Sequence, residues 1–419
     1  MQFASLIQVN VAANSNKFYK MTQTDSNTFK VEFGRVGSNG QSATYPMAQW
    51  ETKLKEKLKK GYSDVTDNTT LKTDVSMASS GIPVTAIADP DVRELIDKLR
   101  KYSAQAVAAN YTVTVVAVTQ SAIDKAQKLI NEVNGQLTLN CNIELINHYL
   151  VSLYGVIPRK IANVSKAIVQ FDLDDQDKLD RWKEQMEIEQ ALLDAMSTQV
   201  HLATSNGNAG GGTKTVISIL DQLGLDISIV SASQVDMLKK LMGDSVGKYV
   251  KAFAVKNLKT QSKFDANLAS AADKTAKSFF HGSRAENWYS ILENGLALHP
   301  NAKTTGKLFG HGIYFASDAD KSLGYINGGK WAGGASTESW LAVYHVHVGN
   351  TWRLSKTTPN FKTGELTYAD LQAKGKYDSL WAAEGYNYSE YSSTTRLRKN
   401  EIIVYKEEQN TIQYLIQVS

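Results

Sequence analysis

The sequence predicts a multidomain α+β protein made of three unlike parts: a small antiparallel sheet with one helix, an all-α bundle, and a mostly antiparallel β domain. Residues 1–68 alternate apolar and polar positions in short runs broken by turn signals. The stretch from 89 to 204 repeats apolar side chains at helical spacing, and residues 214–419 return to strand-like runs with few helices between them.

Composition limits what such a chain can be. At 419 residues, 42 % apolar and 21 % charged, it is long enough for several cores and too balanced for disorder. No apolar run reaches the ~20 residues of a membrane span. The opening MQFASLIQVNVAAN lacks the basic start and small-residue cleavage site of a secretory signal, so a protein that is neither secreted nor membrane-bound is expected. A lone cysteine, Cys141, excludes an internal disulfide framework and a cysteine-based zinc module, and points to reducing surroundings. The net charge of +4 is too small to imply a polyanion partner for the chain as a whole.

In the first part, KFYKM and TFKVEFGRV read as strands, GSNG as a turn, and WETKLKEKLKKG as a lysine-rich helix. Residues 69–88 are polar and aperiodic, and read as a linker. Asp89 and Pro90 form a helix start, with Val92, Leu95, Ile96 and Leu99 on one face. A second helix is expected from Ser121, capped in concert with Asp124 and stopped at Gly135, with Ile123, Ala126, Ile130 and Val133 as its stripe. A third is expected from Asp175 to Met196, with Leu179, Trp182 and Met186 in register, which makes 89–204 a bundle. The glycine-rich residues 205–213 read as a flexible joint to the last domain, 214–419.

Two patterns mislead. Gly207 and Gly212 have P-loop spacing, but Lys214 arrives one place late and no strand precedes it. His345 and His347 share a strand face as two metal ligands would, yet no third ligand lies near them in sequence, so no metal is expected.

Three blocks carry the chemistry: FFHGSRAENWYSILENGL from Phe279, GKLFGHGIYFASDADKSLGY from Gly306, and KNEIIVYKEEQNTIQYL from Lys399. Alone, the HGS corner reads as a capping serine beside a satisfied histidine. In this order, the blocks resemble the ADP-ribosyltransferase domain of the poly(ADP-ribose) polymerases, with its histidine, tyrosine and glutamate signature. The resemblance places His281, Tyr314 and Glu401 on the catalytic triad and Gly282 on the glycine whose backbone holds the nicotinamide carboxamide. Ser322 and Tyr325 fall on the family's serine and second tyrosine, Lys321 on the lysine beside that serine, and Ser283 and Asn287 near the adenosine half of NAD. Where many members carry an arginine after Gly-Leu, this chain has Ala297.

These residue types suit the reaction independently. Breaking the bond between nicotinamide and ribose builds oxocarbenium character, which a carboxylate such as Glu401 stabilises while accepting the acceptor's proton. A flat leaving group is held between aromatic faces, as Tyr314 and Tyr325 offer. Its amide needs a directed donor and acceptor, supplied by the Gly282 backbone and the Ser322 hydroxyl. Glycine leaves the approach unblocked.

VEFGRVGSNGQ, from Val31, resembles the WGR module that precedes these catalytic domains, with Phe33 in place of the defining tryptophan and Gly34 and Arg35 retained. Residues 1–68 hold nine basic and six acidic side chains, which is most of the chain's net positive charge. In the family this module binds the ends of broken DNA, so the resemblance implies DNA contact through Phe33, Gly34 and Arg35. SAIDKAQKLINEV and IELINHYLVSLYGVIP resemble the family's helical regulatory domain. Together these resemblances imply a DNA-break-stimulated poly(ADP-ribose) polymerase without zinc fingers, using NAD as substrate and modifying protein acceptors, itself included. It would act in a nucleus if eukaryotic, and in the cytoplasm or nucleoid if prokaryotic. The alternatives are a transferase of single ADP-ribose units not regulated by DNA, and a non-enzymatic scaffold that binds nucleic acid or NAD.

Overall fold

A computed structural model describes residues 1–68, 87–112, 118–139, 141–170, 176–207, 218–298, 308–326, 338–359, 366–388 and 396–419. They divide into two compact units, one drawn from Met1–Gly81 and Ala104–Gly212, the other from Ile82–Ser103 and Thr213–Ser419. Most of the expected linker and joint, with Gly212 and Lys214, lies outside the described residues.

The first unit opens with β1 (Phe3–Asn10), β2 (Ser15–Gln23), β3 (Thr28–Arg35), β4 (Gln41–Pro46) and a short β5 (Ser63–Asp64), in the order β4-β3-β2-β1-β5. Every pairing is antiparallel. Alternation puts Leu6, Tyr19, Met21, Phe29 and Val31 on one face. Trp50, at the start of α1 (Trp50–Lys59), closes that face, with its ring 5.0 Å from Phe29.

Four long helices follow: α2 (Pro90–Asn110), α3 (Gln120–Leu139), α4 (Ile143–Val156) and α5 (Gln176–Gly207). Ile123, Ala126, Ile130 and Val133 are buried as the periodicity requires, against Ile146, Leu150, Met186 and Met196. The ends of α3 differ from expectation. Thr119, not Ser121, supplies the cap, its hydroxyl accepting from the Ala122 N–H at 3.2 Å. Gly135 does not stop the helix, because the apolar stripe continues to buried Leu137. The helix expected to end at Met196 runs on to Gly207, its stripe extended by buried Val200. Inside the bundle a buried Arg159–Glu189 pair at 2.9 Å is backed by the Tyr111 ring, 4.7 Å from the guanidinium. The N-terminal sheet meets the segment after α4 through side chains. Asn16 donates to the Arg159 carbonyl at 2.9 Å, and the Val164 N–H donates to Asn14 at 2.8 Å.

Asp89 caps α2, accepting from the N–H groups of Asp91 and Val92. The first two thirds of α2, as far as Ser103, belong to the second unit. There Lys98 and Tyr102 bind the two oxygens of Glu338 at 2.6 and 2.9 Å, and Lys251 pairs with Asp91 at 3.0 Å.

The second unit is built on two sheets. One comprises β6 (Leu225–Ile229), β7 (Tyr249–Asn257), β14 (Asn410–Val418), β10 (Ser339–His347) and β8 (Ala276–Ser283), antiparallel in that order, with β8 at an edge. The other runs β11 (Thr351–Leu354), β12 (Ser379–Ala382), β13 (Glu401–Val404) and β9 (Ile313–Phe315), with β11 and β12 parallel and the rest antiparallel. Phe280 and Ala316 exchange both backbone hydrogen bonds at 2.9 Å and so stitch one sheet to the other. Around them lie α6 (Ile219–Leu223), α7 (Ala232–Met242), α8 (Leu258–Ser270), α9 (Trp288–Asn294), α10 (Ala319–Leu323) and α11 (Tyr368–Gly375). His345 packs on the ring of Phe264 in α8 at 5.1 Å. His347 is held by Asn267 and the Asp273 carbonyl, so both rings serve packing.

Candidate functional site

The stitch between the sheets positions the site. His281 and Gly282 lie near the end of edge strand β8, Tyr314 sits on β9, Lys321 and Ser322 on α10, and Glu401 opens β13. The structure thus gathers the residues of all three sequence blocks around one corner.

Backbone polarity alternates along a strand. Since Phe280 gives its N–H and C=O to Ala316, the N–H and C=O of Gly282 turn to the same side, beyond the end of the bridge. They face away from β10. A Cβ at this position would run into the Ser322 carbonyl oxygen, so only glycine lets α10 approach. Ser322 is buried, while Tyr325, just beyond α10, is 37 % exposed.

The His281 ring lies among Trp288, Phe315 and Tyr344, with centroids 6.0 to 6.4 Å away. Its Nδ1 is 3.0 Å from the Tyr314 carbonyl oxygen. A carbonyl only accepts, so Nδ1 carries the proton. Burial holds the imidazole below its ordinary pKa, with the bond to Tyr314 opposing. The neutral ring therefore presents Nε2 as an acceptor.

The Tyr314 hydroxyl accepts from the Phe309 N–H and donates to the Gly310 carbonyl, each at 2.9 Å, and burial lifts it well above the usual phenol range. This tyrosine braces the turn before β9, a role the motif did not reveal. Next to it, Asn287 donates to the Ser283 hydroxyl at 3.0 Å and the Trp288 indole N–H to the Ser283 carbonyl at 3.2 Å, which fixes the corner between β8 and α9.

Glu401 is 5 % exposed. Lys321 bonds one carboxylate oxygen, Oε1; the other, Oε2, is buried with no partner among the described residues. Burial raises the pKa of this carboxyl, and Lys321 opposes the rise. A carboxyl fixed at one oxygen, with the other unpartnered among the described residues, has an acceptor position left for a hydroxyl donor.

In the first unit, a cavity of about 560 Å³ is lined by Lys17, Phe33, Gly34, Arg35, Ser38, Gly40, Gln41, Lys57 and Tyr62, with no acidic side chain among them. Phe33 packs on Tyr19 at 6.1 Å, and Gly34 lies too close to Gly40 for a side chain. Arg35 donates to the carbonyls of Asn14, Ile161 and Ala162 at 3.0, 3.3 and 2.7 Å. The Lys57 ammonium lies over the Tyr19 ring at 4.3 Å.

Among the described residues, no helix is long and apolar enough to cross a membrane, and no cluster of three potential metal ligands occurs. Residues 237–419 match the family model described as the poly(ADP-ribose) polymerase catalytic domain, and residues 2–69 match the model for the WGR domain. The chain is 34 % identical over 196 residues to an uncharacterized protein 101L of Invertebrate iridescent virus 6, covering 46 % of this chain and 76 % of that one. It is 28 % identical over 187 residues to a putative poly [ADP-ribose] polymerase-like protein 100L of the same virus, covering 44 % and 91 %. Poly [ADP-ribose] polymerase 2 of Arabidopsis thaliana is 25 % identical over 479 aligned positions, spanning 99 % of this chain and 72 % of the plant protein.

Proposed function

The chain belongs to the poly(ADP-ribose) polymerase family and is an NAD-dependent ADP-ribosyltransferase, and on that footing we propose that it builds ADP-ribose polymer on protein acceptors, itself included, when it meets broken DNA. Residues 1–68 sense the DNA, 89–204 restrain the site, and 214–419 carry the chemistry.

The observation that carries the reading is Glu401, with one oxygen on Lys321 and the other buried without a partner among the described residues. NAD supplies a ribose whose bond to nicotinamide breaks with positive charge developing on the sugar. Gly282 and Ser322 hold the carboxamide by backbone and hydroxyl, and Tyr325 covers the ring from the exposed side. His281 accepts a ribose hydroxyl at Nε2. Glu401 stabilises the developing charge and takes the proton of the attacking acceptor. On the DNA side, a cavity lined by Lys17 and Lys57 with the rings of Phe33 and Tyr62 in its wall offers charge to phosphate and a face to a terminal base.

The test is incubation of the full chain with NAD, with and without nicked DNA, resolved on a gel. A smear that depends on DNA is the expected result. A sharp band that ignores DNA supports single-unit transfer, and unchanged protein with no nicotinamide released supports a binding scaffold.

A further inference from the structure

We propose that Ser317 and Asn400 form a positioning pair that places the Glu401 carboxylate against α10. The argument begins in the register of β13 and β9, where Ile402, Ile403 and Val404 oppose Phe315, Tyr314 and Ile313. One step further, Ala316 would face Glu401, but its backbone bonds go to Phe280 on β8. Strand alternation turns the Ala316 backbone groups to that side, so the ladder between β13 and β9 ends at Ile402 and Phe315, one residue short of Glu401.

One step further again, the same register sets Asn400 opposite Ser317, and their side chains take over. Asn400 Nδ2 donates to Ser317 Oγ at 3.1 Å. Ser317 Oγ–H donates to Asp318 Oδ2 at 2.7 Å, and Lys399 lies 3.9 Å from Asp318 Oδ1. The other end of the amide is fixed too, because Asn400 Oδ1 accepts from the Glu384 N–H at 2.9 Å, just after β12. An N–H can only donate, so the orientation of the Asn400 amide is settled.

The turn 316–318 thus joins the strand bearing His281 and Gly282, the helix bearing Lys321 and Ser322, and the strand that opens with Glu401. Asn400 and Ser317 act through Glu401, so the inference rests on the role proposed for that carboxylate. A loosened carboxylate misplaces charge in the transition state more than it weakens NAD binding, so the loss falls on kcat.

The experiment measures NAD turnover by the full chain with nicked DNA for Ser317→Ala, Asn400→Ala, the double variant, Ser317→Thr and Glu401→Gln. Each single alanine variant is expected to lower kcat about tenfold with KM for NAD within about twofold, and the double to be no worse than the poorer single. Ser317→Thr, which keeps the hydroxyl, restores turnover. Parental kcat in folded Ser317→Ala, or a loss confined to KM, overturns the pair; should Asn400→Ala fail to fold, the Ser317 variants decide alone. Full turnover in Glu401→Gln instead overturns the role of the carboxylate itself, so the two failures are distinct.

Discussion

Lys321 binds one oxygen of Glu401 and leaves the other buried without a partner among the described residues. A carboxylate so arranged is half satisfied, and the missing hydrogen bond is the one a sugar or acceptor hydroxyl would supply. Glu401→Gln keeps the shape and removes the charge. Transfer is expected to fall by about 10² to 10⁴, the usual loss for a general base. Undiminished polymer from the purified variant would refute the assignment.

Removing the cation tests the same site through pH. Burial raises the Glu401 pKa and Lys321 opposes it, so in Lys321→Met burial acts with less opposition and the pKa rises further. If the ionised form is the active one, the acid limb of kcat/KM against pH moves to higher pH and turnover at neutral pH falls. A limb that stays put, or moves down, contradicts the coupling.

His281 carries a signature in stability. Its folded pKa lies below the ordinary value of about 6.5, so the folded state binds the proton less readily than the unfolded chain. The resulting stability is intact above that pH and is lost as pH falls below it. His281→Asn removes this loss, so the melting temperature of the parent is expected to drop more steeply below about pH 6.5 than that of the variant. Without the Nε2 acceptor, KM for NAD rises. Parallel melting curves would show that the imidazole is not held neutral by the fold.

Gly282→Ala puts a methyl group against the Ser322 carbonyl. Either α10 withdraws or the strand shifts, at a cost of about 1–3 kcal/mol, and both movements spoil the amide cradle. Calorimetry with nicotinamide is the direct check, with lost binding expected and binding at parental strength the contrary outcome.

The proposed response to DNA can be tested at Arg35 and Lys57. Arg35 is tied to the Ile161 and Ala162 carbonyls beyond α4, so Arg35→Ala is expected to bind nicked DNA yet respond to it weakly. Lys57→Gln is expected to weaken binding itself and to reduce the salt slope by about one. Phe33→Trp, which restores the module's usual ring, is expected to hold or improve binding. Parental stimulation in Arg35→Ala would remove that residue from the response.

Local pattern determined much of this protein by itself. The alternation of residues 1–68, the stripe of Val92, Leu95, Ile96 and Leu99, and the spacing of the blocks around His281, Tyr314 and Glu401 are all written in short windows, because strand and helix periods are properties of the local backbone. Helix ends were less legible: Ser121 and Gly135 carry the right chemistry for a cap and a stop, but Thr119 and the burial of Leu137 prevailed, since packing overrides propensity. What only the tertiary structure decided is pairing across distance. Nothing near Arg35 in sequence announces the carbonyls of Ile161 and Ala162, and nothing near Ser317 announces Asn400. Such partners are chosen by the register of strands and the closure of long loops, and a hydrogen bond between residues eighty or more positions apart exists only once the core has brought them within about 3 Å.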